Sequence, residues 1–110
     1  MAGSDAFSLK GKVAIVTGGN GGIGLGMAEG LAAQGASIVI AARNQEKSKA
    51  ATEKLKTAYG VRVETIAFDA ADPKSAEAMI ASVKAMFGRL DILINNSGIN
   101  IRKQPETYTP

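Results

Sequence analysis

A glycine-rich segment between an apolar run and a helical pattern is the part of this 110-residue chain most suited to chemistry. The segment Val13–Gly24 reads VAIVTGGNGGIG, which predicts a buried strand that breaks directly into a turn. A turn with few side chains lets a phosphate approach the backbone closely. The helix that follows would direct its free N–H groups and its positive dipole end at that phosphate. The segment therefore predicts a site for the pyrophosphate of a dinucleotide, and a glycine turn that binds nothing is the alternative.

Three glycines of this segment have separate predicted roles. Gly18 would allow the tight turn out of the strand, and Gly22 would let the backbone come near a pyrophosphate. Gly24 would let the following helix pack close to the sheet. The spacing over Thr17–Gly24 is Thr-Gly-x-x-x-Gly-Ile-Gly, which differs from the GxGxxG of the Rossmann fingerprint. Its place between a strand and a helix is the context that favours a dinucleotide site.

An alternation of strands and helices must position this turn. The predicted strands are Lys12–Thr17, Ser37–Ala42, Arg62–Phe68 and Leu90–Asn95. The predicted helices are Gly22–Gln34, Gln45–Tyr59 and Pro73–Phe87. This alternation predicts one domain over residues 1–110, with a parallel sheet and right-handed crossovers. We expect a three-layer α/β/α, Rossmann-like doubly wound sheet of strand order 3-2-1-4, truncated before the later strands, and a loop over Gly98–Pro110.

Local signals mark the ends and the buried faces of these helices. Asn44 and Asp72 are predicted to cap the second and third helices at their N-termini, with a proline after Asp72. Gly35, Gly60 and Gly88 are predicted to end the three helices. The residues expected to face the core recur at helical spacing, and they are Ile23, Met27 and Leu31 in the first helix and Ala76, Ile80, Val83 and Phe87 in the third.

The composition excludes several classes of site. The chain has no cysteine and no histidine, which excludes disulfides, thiol nucleophiles, the usual zinc sites and histidine acid–base catalysis. The net charge of +3 comes from basic residues spread along the chain, so solvated helix faces are favoured over a nucleic-acid patch. No apolar run reaches membrane-spanning length, and Met1–Leu9 lacks the pattern of a signal peptide. We therefore expect a cytoplasmic protein without a membrane or nucleic-acid partner.

Three segments resemble the short-chain dehydrogenase/reductase family. The glycine spacing of Thr17–Gly24 is the first, and Asn95–Gly98 is similar to the family's Asn-Asn-Ala-Gly element, with Ser97 in place of alanine. The third is Asp69, directly after the third predicted strand. The resemblance extends from about Phe7 to Lys103. It implies an oxidoreductase that transfers hydride between a nicotinamide and a carbonyl or secondary alcohol.

The resemblance also implies roles for individual residues. Those implied to line the pyrophosphate and ribose are Gly18, Asn20, Gly22, Ile23 and Gly24. Asp69 and the backbone of Ala70 would hold the adenine edge, and Asn96, Ser97 and Gly98 would pass beside the ribose next to the nicotinamide. Structural alternatives exist, since Asp69 could be an exposed loop acid. Asn95 and Asn96 could instead tie the fourth strand to its neighbours.

The end of the second strand predicts the choice of cofactor. An acidic residue there would hydrogen-bond the ribose 2′-OH of NAD, but Ala42, Arg43 and Asn44 provide none. Arg43 could pair with the 2′-phosphate of NADP, so Arg43 and Asn44 are predicted cofactor-binding residues and NADP is preferred over NAD. A basic residue that some NADP-using members carry before the second motif glycine is missing, because that position is Gly21. A solvated arginine at the helix cap is the alternative for Arg43.

The catalytic residues implied by the resemblance have no counterpart here. The family uses a tyrosine with a lysine four residues later, a serine and an asparagine. Here the residue four positions after Tyr59 is Val63, and Tyr108 is too close to Pro110 to have a lysine at that spacing. We expect these residues beyond Pro110, an inactive and self-associating fragment with an apolar edge on its fourth strand, and a homotetrameric parent.

Two short segments bear on the substrate. Phe7–Lys12 and Gly98–Lys103 resemble members acting on sugar acids, such as gluconate 5-dehydrogenases, and 3-oxoacyl carrier-protein reductases are similar enough to compete. A complete, non-catalytic module for nucleotide sensing or for protein interaction is the alternative function.

Overall fold

Residues 8–18 and 21–96, which the computed structural model describes, form a parallel sheet covered by helices. The strands are β1 (Val13–Thr17), β2 (Ser37–Ala42), β3 (Val63–Ala67) and β4 (Ile92–Asn95). The helices are α1 (Gly22–Ala33), α2 (Gln45–Tyr59) and α3 (Pro73–Phe87). The order is β3-β2-β1-β4 with every pair parallel, so the predicted Rossmann-like topology is confirmed. The predicted loop Gly98–Pro110 lies outside the described residues.

The two central strands are enclosed on both faces. Every residue of β1 is buried, and in β2 every residue after the first is buried. On one face α1 and α2 pack over the sheet through Ala28, Ala32 and Leu55, and on the other α3 packs through Met79 and Val83. This arrangement explains why both strands are continuous apolar runs, as parallel sheets between helix layers require. None of the three helices described is long and apolar enough to span a membrane.

The ends of the helices follow the local signals in the sequence. The Asn44 side chain accepts a hydrogen bond from the amide three residues later at 2.9 Å, and Asp72 accepts one from the amide two residues later at 3.0 Å. Gly35, Gly60 and Gly88 follow the three helices with φ of +100°, +69° and +79°. Residues with a Cβ rarely adopt this left-handed backbone conformation, which is why glycine follows each helix. The predicted helix ends are confirmed.

The predicted buried face of α1 is wrong at Ile23 and Met27, whereas the third predicted residue, Leu31, packs partly buried against the core. Ile23 is 73% exposed and Met27 is 38% exposed, whereas the buried residues are Gly24, Ala28 and Ala32. The small residues lie one position after the large ones in each turn, and in the first two turns the large side chains are rotated away from the sheet. In α3 the predicted face is confirmed, because Val83 is buried among core residues and the other three members pack partly buried against them.

A side chain joins β4 to β1 before their ladder begins. The Val13 N–H donates to Asp91 Oδ2 at 2.9 Å, and the Asp91 N–H donates to the Val13 carbonyl at 2.9 Å. Arg89 donates two hydrogen bonds to the same carboxylate, both at 2.8 Å. These bonds, with Arg89 the largest cause, lower the pKa of Asp91 to about 2. β4 starts at Ile92, two residues later than the predicted Leu90, and in the described part it is an edge strand with Leu93 47% exposed.

Candidate dinucleotide-binding site

Because all four strands are parallel, the loops that follow them lie next to one another at the carboxyl edge of the sheet. Gly18 follows β1, Arg43 comes directly after β2, Asp69 lies two residues after β3, and Asn96 follows β4. The Gly18 N–H donates to the Ala41 carbonyl at 2.7 Å, which holds the start of the glycine turn against the end of β2. The fold thus brings one predicted site residue from every loop to the carboxyl edge, where open α/β sheets bind ligands.

The glycine turn has the backbone conformation that its sequence predicts. Gly18 has φ +68° and Gly22 has φ +57°, so both lie in the left-handed region that favours glycine. Among residues 8–18 and 21–96, no atom lies within 4 Å of where a Cβ at Gly22 would be. Backbone conformation is therefore what favours glycine here, and none of these residues fills the space beside it. Asn20, which the resemblance assigns to the same site, lies outside the described residues.

Gly24 is required by a close approach of three elements. A Cβ at this position would overlap the Gly18 carbonyl oxygen and would lie 2.7 Å from Asn96 Nδ2. The first turn of α1, the turn after β1 and the residue after β4 thus meet without room for a methyl group. Gly24 therefore lies in a close approach, as predicted, but the atoms that exclude a side chain belong to the turn after β1 and to Asn96, where the prediction named the sheet.

The N-terminus of α1 is open. Its cap residue Gly21 has an extended backbone with φ −178° and contributes no side-chain hydrogen bond, and no acidic residue lies in the first turn. The first hydrogen bond of the helix in the described part runs from the Leu25 N–H to the Gly21 carbonyl at 3.2 Å. The amides of residues 22–24 precede it and point beyond the helix end. In the part of the chain that the structure describes, side chains cap α2 and α3 but not α1, so the first amides and the positive dipole end of α1 are suited to an anion.

The end of β2 carries a cation. Arg43 is exposed at the carboxyl edge, and the neighbouring Asn44 uses its side-chain oxygen to cap α2. The Gln45 side chain donates to the Ala42 carbonyl at 2.9 Å, which closes the end of the strand. The positions expected to contact the adenosine ribose therefore carry a positive charge and no carboxylate.

The side chain of Asp69 stabilises the turn in which this residue lies. Its carboxylate accepts a hydrogen bond from the Ala71 N–H at 3.0 Å, and its N–H donates to Ser75 Oγ at 3.1 Å. Asp69 and Ala70 are both exposed at the carboxyl edge. The turn fixes the direction of this short loop, and the role of both residues toward adenine stays a prediction.

The two asparagines after β4 differ in their surroundings. Thr17 Oγ1 lies 3.2 Å from Asn95 Oδ1 and 3.3 Å from the Ile94 carbonyl oxygen, so its single hydroxyl hydrogen can be donated to either acceptor. Asn95 thus ties β4 to β1, which confirms the structural alternative for this residue. Asn96 instead lies beside Gly24 at the glycine turn. Ser97 and Gly98 lie outside the described residues.

Comparison with known proteins decides the family. The short chain dehydrogenase family matches residues 12–109. The chain belongs to this family. It is 39% identical over 109 residues to gluconate 5-dehydrogenase of Gluconobacter oxydans, a match covering 99% of this chain and 42% of that protein.

Solved structures of the short chain dehydrogenase family share the fold. L-sorbose reductase from Gluconobacter frateurii, complexed with NADPH and L-sorbose, matches with TM-score 0.79 and 41% identity over 91% of this chain and 40% of that one. NAD+-bound xylitol dehydrogenase matches with TM-score 0.78 and 30% identity over 90% of this chain and 40% of that one. The chain spans about two fifths of the length of these relatives.

The side chain of Lys47, which none of the sequence motifs indicated, lies against the glycine turn at Gly21. A Cβ at Gly21 would lie 2.7 Å from Lys47 Cε and 2.8 Å from Lys47 Nζ. Lys47 belongs to α2, so its side chain reaches from one element to another. One sequence signal could have found it, because the third position of a helix favours glutamate or glutamine rather than lysine. Among residues 8–18 and 21–96, no three carboxylates gather as a metal site would require.

Proposed function

We propose that this chain is the NADP(H)-binding portion of an oxidoreductase that transfers hydride between a nicotinamide and a carbonyl or secondary alcohol. The observation that carries the proposal is the open N-terminus of α1, held by Gly24 against the turn at Gly18. Free amides and a positive dipole end suit a pyrophosphate, and the space beside Gly22 admits one. Membership of the short chain dehydrogenase family supports the same function.

The proposed work of the described residues is binding and orientation. The amides of residues 22–24 would donate hydrogen bonds to the pyrophosphate, and Asn96 would lie beside the ribose next to the nicotinamide. Asp69 and Ala70 would hold the adenine edge. When bound, the dinucleotide supplies or accepts the hydride. Holding it at both phosphates and both riboses fixes the nicotinamide relative to a substrate, which is how positioning contributes to rate.

The charge at the end of β2 supports NADP over NAD. Arg43 can form a charge-assisted pair with a 2′-phosphate, and no carboxylate is present there to bind a 2′-OH or repel the phosphate. The L-sorbose reductase complex holds NADPH and the xylitol dehydrogenase complex holds NAD+, so relatives of both kinds share this fold. The proposed preference therefore depends on Arg43 and its neighbours.

The proposed substrate class is a sugar or sugar acid. Similarity to gluconate 5-dehydrogenase and L-sorbose reductase supports this class, and a 3-oxoacyl substrate is the second candidate. This sequence has no tyrosine followed four residues later by lysine. A tyrosine beside a lysine is the acid–base pair that the family resemblance implies, because the lysine lowers the phenol pKa. We propose that the 110 residues bind the cofactor without catalysing the reaction.

A thermal-shift titration with NADPH and with NADH tests the proposal. A ligand at about 100 times its dissociation constant stabilises a protein by about 2.7 kcal/mol. NADPH should therefore raise the melting temperature, and NADH should do so less at equal concentration. Replacing Arg43→Ala should remove most of the difference, whereas Arg62→Ala, before β3 at the opposite edge, should keep it. No stabilisation by either dinucleotide would contradict the proposal.

A further inference from the structure

Lys47 carries a positive charge to the glycine turn from a different element of the fold. Its Cε and Nζ atoms lie 2.7 Å and 2.8 Å from where a Cβ at Gly21 would be. The end of the Lys47 side chain thus occupies the space that a side chain of residue 21 would need. The turn lacks a basic residue of its own at this position, and α2 provides the charge instead.

The stability of α2 does not explain a lysine at this position. Lys47 is the third residue of the helix, and its N–H donates to the capping Asn44 at 2.9 Å. A cation in the first turn opposes the helix dipole, and glutamate or glutamine is the common choice there. In the described part of the chain, each of the three ion pairs is formed by another basic residue. The position of the amine therefore indicates a role outside the helix.

We propose that Lys47 is a specificity-determining residue that binds the 2′-phosphate of NADP(H) together with Arg43. This inference rests on the proposed function. The end of β2 is where dinucleotide-binding sheets distinguish a 2′-OH from a 2′-phosphate, and α2 begins two residues after Arg43. The Lys47 side chain extends from α2, which follows the end of β2, to Gly21, the N-cap residue of α1. An ammonium group there is a point charge with three donors, which suits a phosphate.

Binding titrations of the 110-residue chain and its Lys47→Gln variant test this role. Calorimetry measures the Kd for NADPH and for NADH in low and in raised salt. We expect Lys47→Gln to weaken NADPH binding by about three- to tenfold, as one partly exposed charge-assisted contact would, and to leave NADH binding unchanged. The salt dependence of NADPH binding should fall, since one charge pair is lost. The matched control Lys49→Gln changes an exposed lysine two residues later and should alter neither Kd.

Two further measurements separate recognition from folding. The melting temperature of Lys47→Gln without ligand should equal or exceed that of the native chain, because a charge opposed to the helix dipole is removed. Adding Gly21→Lys to Lys47→Gln should restore the preference for NADPH. This rescue is sterically possible because Gly21 is extended and the atoms closest to its Cβ position belong to Lys47.

The outcomes distinguish this inference from the proposed function. Equal loss of NADPH and NADH binding in Lys47→Gln would overturn the inference, since the lysine would then serve the pyrophosphate. Unchanged binding of both would overturn it as well, while the proposed function would stand. If the native chain binds neither dinucleotide, the proposed function fails and the inference fails with it.

Discussion

Helices α1 and α3 cover opposite faces of the sheet with different side chains. α1 buries Gly24, Ala28 and Ala32, whereas α3 buries Met79 and Val83. Small residues let a helix axis come close to its neighbours, and large ones fill the volume beneath it. The two helices also begin differently, because α3 is capped by a side chain and α1 is open. Large side chains of α3 fill the core, whereas the small residues and uncapped N-terminus of α1 suit the ligand-binding role that we propose for it.

The largest expected effect on stability lies in α3. Met79 is 3% exposed, so Met79→Ala leaves a cavity and should lower the free energy of unfolding by about 2–5 kcal/mol. NADPH affinity of the molecules that remain folded should be unchanged. Urea denaturation and calorimetry measure the two quantities. Met86→Ala is the matched control in the same helix, since Met86 is 38% exposed and should change stability by about 0.5 kcal/mol or less. Equal losses for the two variants would contradict the assignment of α3 to the core.

Gly24→Ala should weaken both stability and cofactor binding. The added methyl group overlaps the Gly18 carbonyl, and forcing it in should lower the free energy of unfolding by about 1–3 kcal/mol. The displaced turn should weaken NADPH binding by more than about tenfold, since each hydrogen bond to a charged group contributes about 1.5–3 kcal/mol. Urea denaturation measures the change in stability, and calorimetry measures the change in NADPH affinity. A variant that binds NADPH as the native chain does would show that the close approach at Gly24 does not form the site.

Two other glycines of α1 should respond in the opposite direction. Among the residues that the structure describes, a Cβ at Gly26 or Gly30 would meet nothing within 4 Å outside its own helix, and neither residue has a positive φ. Gly26→Ala and Gly30→Ala should each raise the free energy of unfolding by about 0.5–1 kcal/mol, because alanine favours the helix and restricts the unfolded chain. Destabilisation by both would mean that α1 lies closer to its neighbours along its whole length than the structure shows.

The smallest expected effect concerns the turn after α3 and depends on pH. Hydrogen bonds from Arg89 and Val13 lower the pKa of Asp91 from 3.8 to about 2. A depressed pKa means that the ionised carboxylate favours the folded state above pH 4, and that this contribution is lost between pH 4 and pH 2. Asp91→Asn should therefore melt at a slightly lower temperature at pH 6. The difference from the native chain should vanish near pH 2. A difference that does not vary with pH would contradict the role of this ion pair.

Much of the fold is predictable because its signals are local. Asn44, Asp72 and the glycines after each helix define helix ends by chemistry within a few residues. The apolar runs of β1 and β2 indicate strands buried on both faces, and the alternation of elements then restricts the topology to a few choices.

The buried face of α1 was not predictable from apolar spacing. Ile23 and Met27 recur at helical spacing and dominate any hydrophobic pattern, but Gly24 and Ala28 face the sheet. The selection of small residues follows from the distance between α1 and the glycine turn. That distance is a tertiary property, so the pattern of one helix does not contain it.

The candidate site also contains positions that local sequence signals predict and others that only the tertiary structure brings together. The positions of Gly18, Gly22 and Arg43 at the carboxyl edge were predictable, because their motif and their place after a strand are visible in the sequence. The approach of Lys47 to the glycine turn was not, because a long side chain from α2 reaches a turn more than twenty residues earlier, and a lysine at the third helix position indicates only that the residue is unusual there. The end of β4 was predictable in part, since Asn95 and Asn96 look alike in sequence and differ only in what surrounds them.

One measurement tests the central claim that α1 binds the dinucleotide and α3 does not. Amide NMR spectra of the 110-residue chain, recorded during titration with NADPH, report which backbone groups sense the ligand. The account predicts shifts at Gly18, over residues 21–24 and at Arg43, with the amides of Met79 and Val83 unchanged. Shifts confined to α3, or to Gly35 and Gly60 at the opposite edge of the sheet, would contradict it.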